Sequence, residues 1–125
     1  MNMGVETVDS VDGAELVIDA LIGYSLKGAP RGASAELIAE ANSASSVVSL
    51  DTPSGLNVTT GETPGAVVSA DATVTLALPK AGLRNSPHVG ELFLADISVP
   101  PSVTSGYGKP APEFATNGVV HIVDR

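Results

Sequence analysis

The sequence predicts an α/β fold built on a mostly parallel sheet, and three observations carry that prediction. Residues 15–51 run in the order apolar stretch, glycine-punctuated loop, Ala/Glu-rich stretch, apolar stretch, which is the pattern of a βαβ unit. The apolar stretches are nearly continuous rather than alternating, as suits parallel strands buried on both faces. Further short runs rich in Val, Leu and Thr follow, each bounded by proline or glycine.

Taken in order, Val5–Val8 is a candidate short strand. Glu15–Ile22, ELVIDALI, is the first strong strand and is interrupted by Asp19. Residues 23–32, GYSLKGAPRG, form the loop that follows. Residues 33–44, ASAELIAEANSA, read as a helix, because Ala, Leu and Glu favour it and Leu37, Ile38 and Ala41 share one face. Asn42 and the serines after it signal its end. Val47–Leu50 is the second strand, Ala72–Leu78 the third and Glu91–Asp96 the fourth, with Val119–Val123 as a last short one. Residues 101–117 are expected to form an extended, weakly ordered connection. A doubly wound fold normally opens with a strand, a glycine-rich loop and a helix, and nothing of that kind precedes residue 15. The chain is therefore expected to begin in mid-fold.

Composition narrows the function classes. The 125 residues suit one domain, and with 43% hydrophobic and 3% aromatic residues its core must be aliphatic. There are no cysteines, which removes disulfides, thiolate zinc sites and cysteine nucleophiles together. A net charge of −8 argues against non-specific binding of nucleic acid or anionic membrane. The N-terminus has neither the basic nor the apolar region of a signal peptide, and no apolar run approaches a membrane span, so a cytoplasmic protein is expected.

Chemistry is expected at the carboxyl ends of the strands, where open α/β sheets bind ligands. Two strands end near a carboxylate and a tight loop: Asp19 before Gly23–Gly32, and Asp51 before Thr52–Gly55. If the two strands are parallel neighbours, both loops open on one edge. The loop Gly23, Tyr24, Ser25, Leu26, Lys27, Gly28, Ala29 is either an ordinary βα connection or an anion site at a helix start, with Lys27 and Arg31 adding positive charge. It is neither a Walker A loop nor GxGxxG. Asp51 is either a cap of the turn Asp-Thr-Pro-Ser-Gly, which composition favours, or a site carboxylate. Lys80, after Pro79 at a strand end, is a candidate for ligand contact or for pairing with a nearby carboxylate. Asp71 and Asp96 read as structural, and His88 and His121 as surface or structural. No His/Asp/Glu cluster has transition-metal spacing, but Asp19 and Ser54 could supply oxygens to a hard monovalent cation.

Three motifs then carry a resemblance: VIDALIGYSLKGAPRG at 17–32, SLDTPSGLNVTTGE at 49–62, and ADATVTLALPKAGL at 70–83 followed by GELFLADISVP at 90–100. In order and spacing they resemble the NAD(P)H-hydrate epimerase family (the YjeF N-terminal domain) over about residues 13–101. Residues 102–125 form an extension with the last strand. The resemblance implies a Rossmann-like three-layer αβα domain that interconverts the R and S epimers of hydrated NADH and NADPH in cofactor repair. By position it implies Asp19 and Ser54 as potassium ligands and Gly23 to Ala29 as the loop binding the hydrated dinucleotide. Asp51 becomes the substrate-contacting acid/base. An NAD(P)H-hydrate dehydratase is the implied functional partner.

The family's N-terminal strand, Asn-Asn-Gly-Gly-Asp-Gly type loop and helix have no counterpart in these residues. The expectation is an N-terminally truncated domain whose strand at Glu15 lacks its central neighbour. That edge would invite pairing with the absent half or with a second copy. The competing reading is a non-catalytic interaction or nucleotide-binding module derived from the same family. Retention of Asp19, Asp51 and Ser54 favours the enzyme lineage, and the acidity argues against RNA.

Overall fold

A computed structural model describes residues 4–107 and 118–123. Its sheet has five strands: β1 (Leu16–Asp19), β2 (Ser46–Leu50), β3 (Ala72–Leu76), β4 (Glu91–Ala95) and β5 (Val119–Ile122), in spatial order β1-β2-β3-β4-β5. The first four are mutually parallel and β5 is antiparallel to β4, so the α/β, mostly parallel expectation holds. Helix α1 (Ala33–Ala41) makes the crossover from β1 to β2, and a short helix α2 (Pro101–Thr104) follows β4.

Strands β1 and β3 end where a side chain or a left-handed residue diverts the backbone. The first strand stops at Asp19 rather than continuing to Ile22, because the Ile22 N–H is donated to Ser54 Oγ at 2.8 Å. The third stops at Leu76 because Ala77 takes φ 63° and Leu78 N–H turns back to Leu76 O. The helix stops at Ala41 rather than Ala44. Asn42 there donates Nδ2 to Val67 O and accepts Ser69 N–H, pinning the segment that leads to β3.

Two expectations fail. Residues 5–8 form no strand; Val5 and Val8 are exposed, and strand geometry without a neighbouring ladder leaves its backbone groups unpaired. Instead Ser10 and Val11 dock on α1, donating to the Glu40 carboxylate at 2.8 and 2.9 Å. The start of the expected loose connection is helical: Pro101 occupies the first turn of α2, where a missing N–H costs nothing, and a 3₁₀ turn covers Ser105–Tyr107. Residues 108–117 of that connection lie outside the described residues.

Alternation along the strands sorts the sheet into two faces. One carries Val17, Val47, Thr73, Leu92 and Leu94, all buried. Ile38 of α1 packs there with Val47, Val68 and Ala70, while Leu56, Leu83 and Val89 pack on Leu92. The other face presents Leu16 and Ile18, 56% and 59% exposed, on the edge strand, and Leu50 at 44%. Gly55 lets the 52–56 turn cross its neighbour closely. At φ 96°, a Cβ there would lie 2.0 Å from Ala66 O.

Candidate functional site

The parallel register puts the carboxyl ends of β1, β2 and β3 on one edge, and the chemistry-bearing residues gather there in two adjacent networks. The first centres on Asp19, which is 2% exposed. Its Oδ2 accepts Ser49 Oγ at 2.7 Å and Ser54 N–H at 2.8 Å; its Oδ1 accepts Ser54 Oγ–H at 2.5 Å and Leu21 N–H at 3.4 Å. Asp19 therefore caps the turn after β2 from the end of the neighbouring strand. Ser54 itself is fully buried.

The second network centres on Asp51, and it corrects the cap reading of that residue. Asp51 does not hold its own turn. Its Oδ1 accepts Leu76 N–H at 3.3 Å, across the sheet edge, and forms an ion pair with Lys80 Nζ. Its backbone is left-handed at φ 69°, a conformation that Asp tolerates better than most residues. Lys80 also donates to Thr75 Oγ1 at 3.0 Å and to Leu76 O at 2.8 Å. This is the pairing alternative for Lys80, and it is the only ion pair among the described residues. Asp51 Oδ2 accepts no hydrogen bond among the described residues and is not among their buried, unpartnered polar atoms.

Asp51 and Ser54 sit on one turn, so the two networks are mechanically joined. Between them Thr52 is 1% exposed, and its Oγ1 has no hydrogen-bond partner among the described residues. The loop Gly23 to Ala29 leaves the same edge. Tyr24 is 71% exposed, Lys27 and Arg31 reach solvent, and Ala29 packs against Gly65, where a Cβ would come within 2.7 Å. Thus Asp19 joins Ser54 and Asp51 joins Lys80, while Lys27 and Arg31 join neither network. Sequence reasoning missed Ser49 and Thr75. The available signal was their position: both are hydroxyls on the inward face of strands that end at the site.

The donor chemistry around Ser54 suits a hard cation: the Asp19 carboxylate, the Ser54 hydroxyl and the Ile22 carbonyl, 3.3 Å from that hydroxyl, are all oxygens. Among the described residues no group of three or more His, Cys, Asp or Glu could hold a metal ion. A cavity of about 320 Å³ lies beside β1 instead, lined by Val8, Val11, Leu21 and Leu37 with Asp19 at its wall. It is mostly apolar and excludes Asp51, so the site is identified by its polar chemistry rather than by this hollow.

Asp71, Asp96, His88 and His121 make contacts within the fold. Asp71 accepts Val47 N–H at 2.8 Å, Asp96 accepts Ser98 N–H at 2.7 Å, His88 meets Ser69 Oγ at 3.1 Å, and His121 stacks on Phe93 at 4.6 Å. Among the described residues no helix is long and apolar enough to cross a membrane.

Comparison with known proteins adds to this geometry. A sequence model of the family described as "YjeF-related protein N-terminus" matches residues 2–82. An NAD(P)H-hydrate epimerase of Dehalogenimonas lykanthroporepellens is 52% identical over 97 residues, covering 76% of this chain and 39% of that protein. An NAD(P)H-hydrate epimerase of Truepera radiovictrix is 42% identical over 92 residues, covering 73% and 42%. A bifunctional NAD(P)H-hydrate repair enzyme Nnr of Hyperthermus butylicus is 50% identical over 90 residues, covering 70% of this chain and 17% of that one. The crystal structure of yeast ynu0, YNL200c, superposes with a TM-score of 0.69 at 20% identity, over 86% of this chain and 46% of that one. The chain thus spans about two fifths of the length of the epimerases it matches.

Proposed function

Since the chain belongs to the YjeF-related N-terminus family, we propose that it works in nicotinamide cofactor repair, as an NAD(P)H-hydrate epimerase or the part of one that carries the acid/base carboxylate. One observation carries the reading: Asp51 stands at the carboxyl edge of the sheet with Oδ1 held by Leu76 N–H and Lys80, which leaves Oδ2 available to a ligand.

Epimerisation requires the hydroxyl on the hydrated ring to leave and water to return on the opposite face. In the proposed cycle Asp51, as the carboxylic acid, protonates the leaving hydroxyl. The C–O bond breaks and water departs, leaving a cationic ring facing the carboxylate. Water then adds to the other face and releases a proton to solvent, and Asp51 regains a proton from solvent, so the enzyme ends unchanged. Positioned proton transfer of this kind contributes about 10²–10⁴-fold. The loop Gly23 to Ala29 would receive the dinucleotide at its phosphates, through exposed backbone beside Lys27. Asp19 and Ser54 would hold a potassium ion, which when bound would order this edge and supply fixed positive charge near the phosphates.

In this reading residues 1–125 belong to one domain of the family type, in a cytoplasmic setting, and a dehydratase acts on the product. Fusion of two activities in the bifunctional Nnr relatives supports that last point. The test is direct. Hydrated NADH enriched in the R epimer is incubated with the chain and with Asp51→Asn, and the epimer ratio is followed by chromatography with and without potassium. Equal relaxation in both proteins, or none above the blank, overturns the proposal. Binding of the hydrate without turnover favours the non-catalytic module instead.

A further inference from the structure

We infer that Lys80 is a positioning residue for Asp51: it holds one carboxylate oxygen and steadies the ionised form between the two proton transfers. The inference rests on the epimerase reading of Asp51. An ammonium group has three N–H donors and no acceptor. Here all three are placed: on Asp51 Oδ1, on Thr75 Oγ1 at 3.0 Å and on Leu76 O at 2.8 Å. Lys80 therefore has no donor left for a substrate, which separates it from a phosphate- or ribose-binding lysine. It acts through Asp51.

The anchors explain why the contact is rigid. Thr75 is fully buried and lies on the inward face of β3, paired in register with Leu94 of the interior strand β4. Leu76 contributes twice, accepting from Lys80 through its carbonyl and donating its N–H to Asp51 Oδ1. The end of β3 thus acts as a template that fixes ammonium and carboxylate together. Asp51 has a left-handed backbone at φ 69°, and its carboxylate bonds to the end of β3 rather than to its own turn. Both partners are about one-fifth exposed, 20% for Lys80 and 21% for Asp51, so solvent screens the pair only in part. With Oδ1 bound twice, Oδ2 becomes the reacting oxygen. After it gives its proton to the departing hydroxyl, the adjacent ammonium stabilises the carboxylate left behind.

The experiment compares wild type, Lys80→Ala, Lys80→Met, Thr75→Val and Asp51→Asn in the hydrated-NADH epimer assay. Circular dichroism and thermal melts confirm that each is folded, and Lys80→Met keeps the apolar stem in place should Lys80→Ala unfold. Misplacing a catalytic group can cost about 10²-fold, so kcat is expected to fall by that order in both Lys80 variants. KM should stay within about threefold, because Lys80 makes no substrate contact. Thr75→Val should show a smaller loss of the same kind. Methylammonium added to Lys80→Ala should restore rate saturably, and it should do nothing for Asp51→Asn. Wild-type kcat in the Lys80 variants, a rise in KM with kcat unchanged, or failure of methylammonium overturns the positioning role. A wild-type chain without turnover overturns the epimerase reading and this inference with it. An inactive Asp51→Asn beside a fully active Lys80→Met overturns this inference alone.

Discussion

Asp19, the last residue of β1, caps the turn that follows β2 by accepting both the backbone N–H and the hydroxyl of Ser54, at 2.8 and 2.5 Å. Two loops far apart in sequence are tied at the sheet edge by one carboxylate. Asp19→Ala would leave Ser49 Oγ and Ser54 N–H without their acceptor, and Ser54 Oγ with only the Ile22 carbonyl at 3.3 Å, in a site that is 2% exposed. Buried groups stripped of partners cost about 1–3 kcal/mol each, so a total loss of about 3 kcal/mol or more is expected. Urea denaturation at constant m-value measures it. A loss under about 1 kcal/mol would mean that water replaces the carboxylate and that the two loops are not tied in this way.

Asp51 should behave in the opposite manner. It is half-buried, its backbone is left-handed, and Asn accepts that conformation as readily as Asp does. Asp51→Asn is expected to stay within about 1 kcal/mol of wild-type stability, the typical net worth of one hydrogen bond, while losing epimerisation by about 10²-fold or more. Paired urea titrations and epimer assays decide this, and an equal fall in both quantities would assign Asp51 to structure.

The two sheet faces predict a contrast between isoleucines. Ile38 is 1% exposed in the core beneath α1, and Ile38→Ala should cost about 2–5 kcal/mol. Ile18, on the edge strand, is 59% exposed, and Ile18→Thr should fall within about ±0.5 kcal/mol. Urea denaturation at several protein concentrations checks both. A large, concentration-dependent cost at Ile18 would reveal that another chain covers this face.

Acid should loosen the N-terminal segment first. The Val11 backbone N–H and the Ser10 hydroxyl hold the Glu40 carboxyl below its ordinary value of 4.5. A carboxyl lowered on folding stabilises the folded form fully above its unfolded pKa, and that contribution disappears as pH falls through the lower folded value. The protection factor of the Val11 amide should therefore fall in wild type as pH drops below the ordinary carboxyl value of 4.5. In Glu40→Gln, which carries no titrating group at this contact, the protection factor at Val11 should lack that acid step.

Much of this molecule was legible in its residues because local chemistry and tertiary context agree there. The apolar runs at 15–22, 47–50, 72–78 and 91–96 became strands over 16–19, 46–50, 72–76 and 91–95, and the stretch 33–44 became the crossover helix over Ala33–Ala41, since burial demands and propensity point the same way. Val5–Val8 shows the limit of that agreement. Its residues suit a strand, but a strand exists only beside a partner, and none stands there among the described residues.

The candidate site divides along the same line. The residues themselves put Asp51, Ser54 and Lys80 after strand ends, because the apolar runs break there, and put Asp19 inside the first run as an interruption. Which carboxylate would cap the 52–55 turn, and which would be left with an available oxygen, lay outside the sequence. Turn chemistry assigned the cap to Asp51, the local residue. Parallel pairing of β1 with β2 brought Asp19 within 2.8 Å of Ser54 N–H instead, and so freed Asp51 to pair with Lys80. A hydrogen bond depends on distance and angle and not on sequence separation, so only the folded sheet could decide between the two.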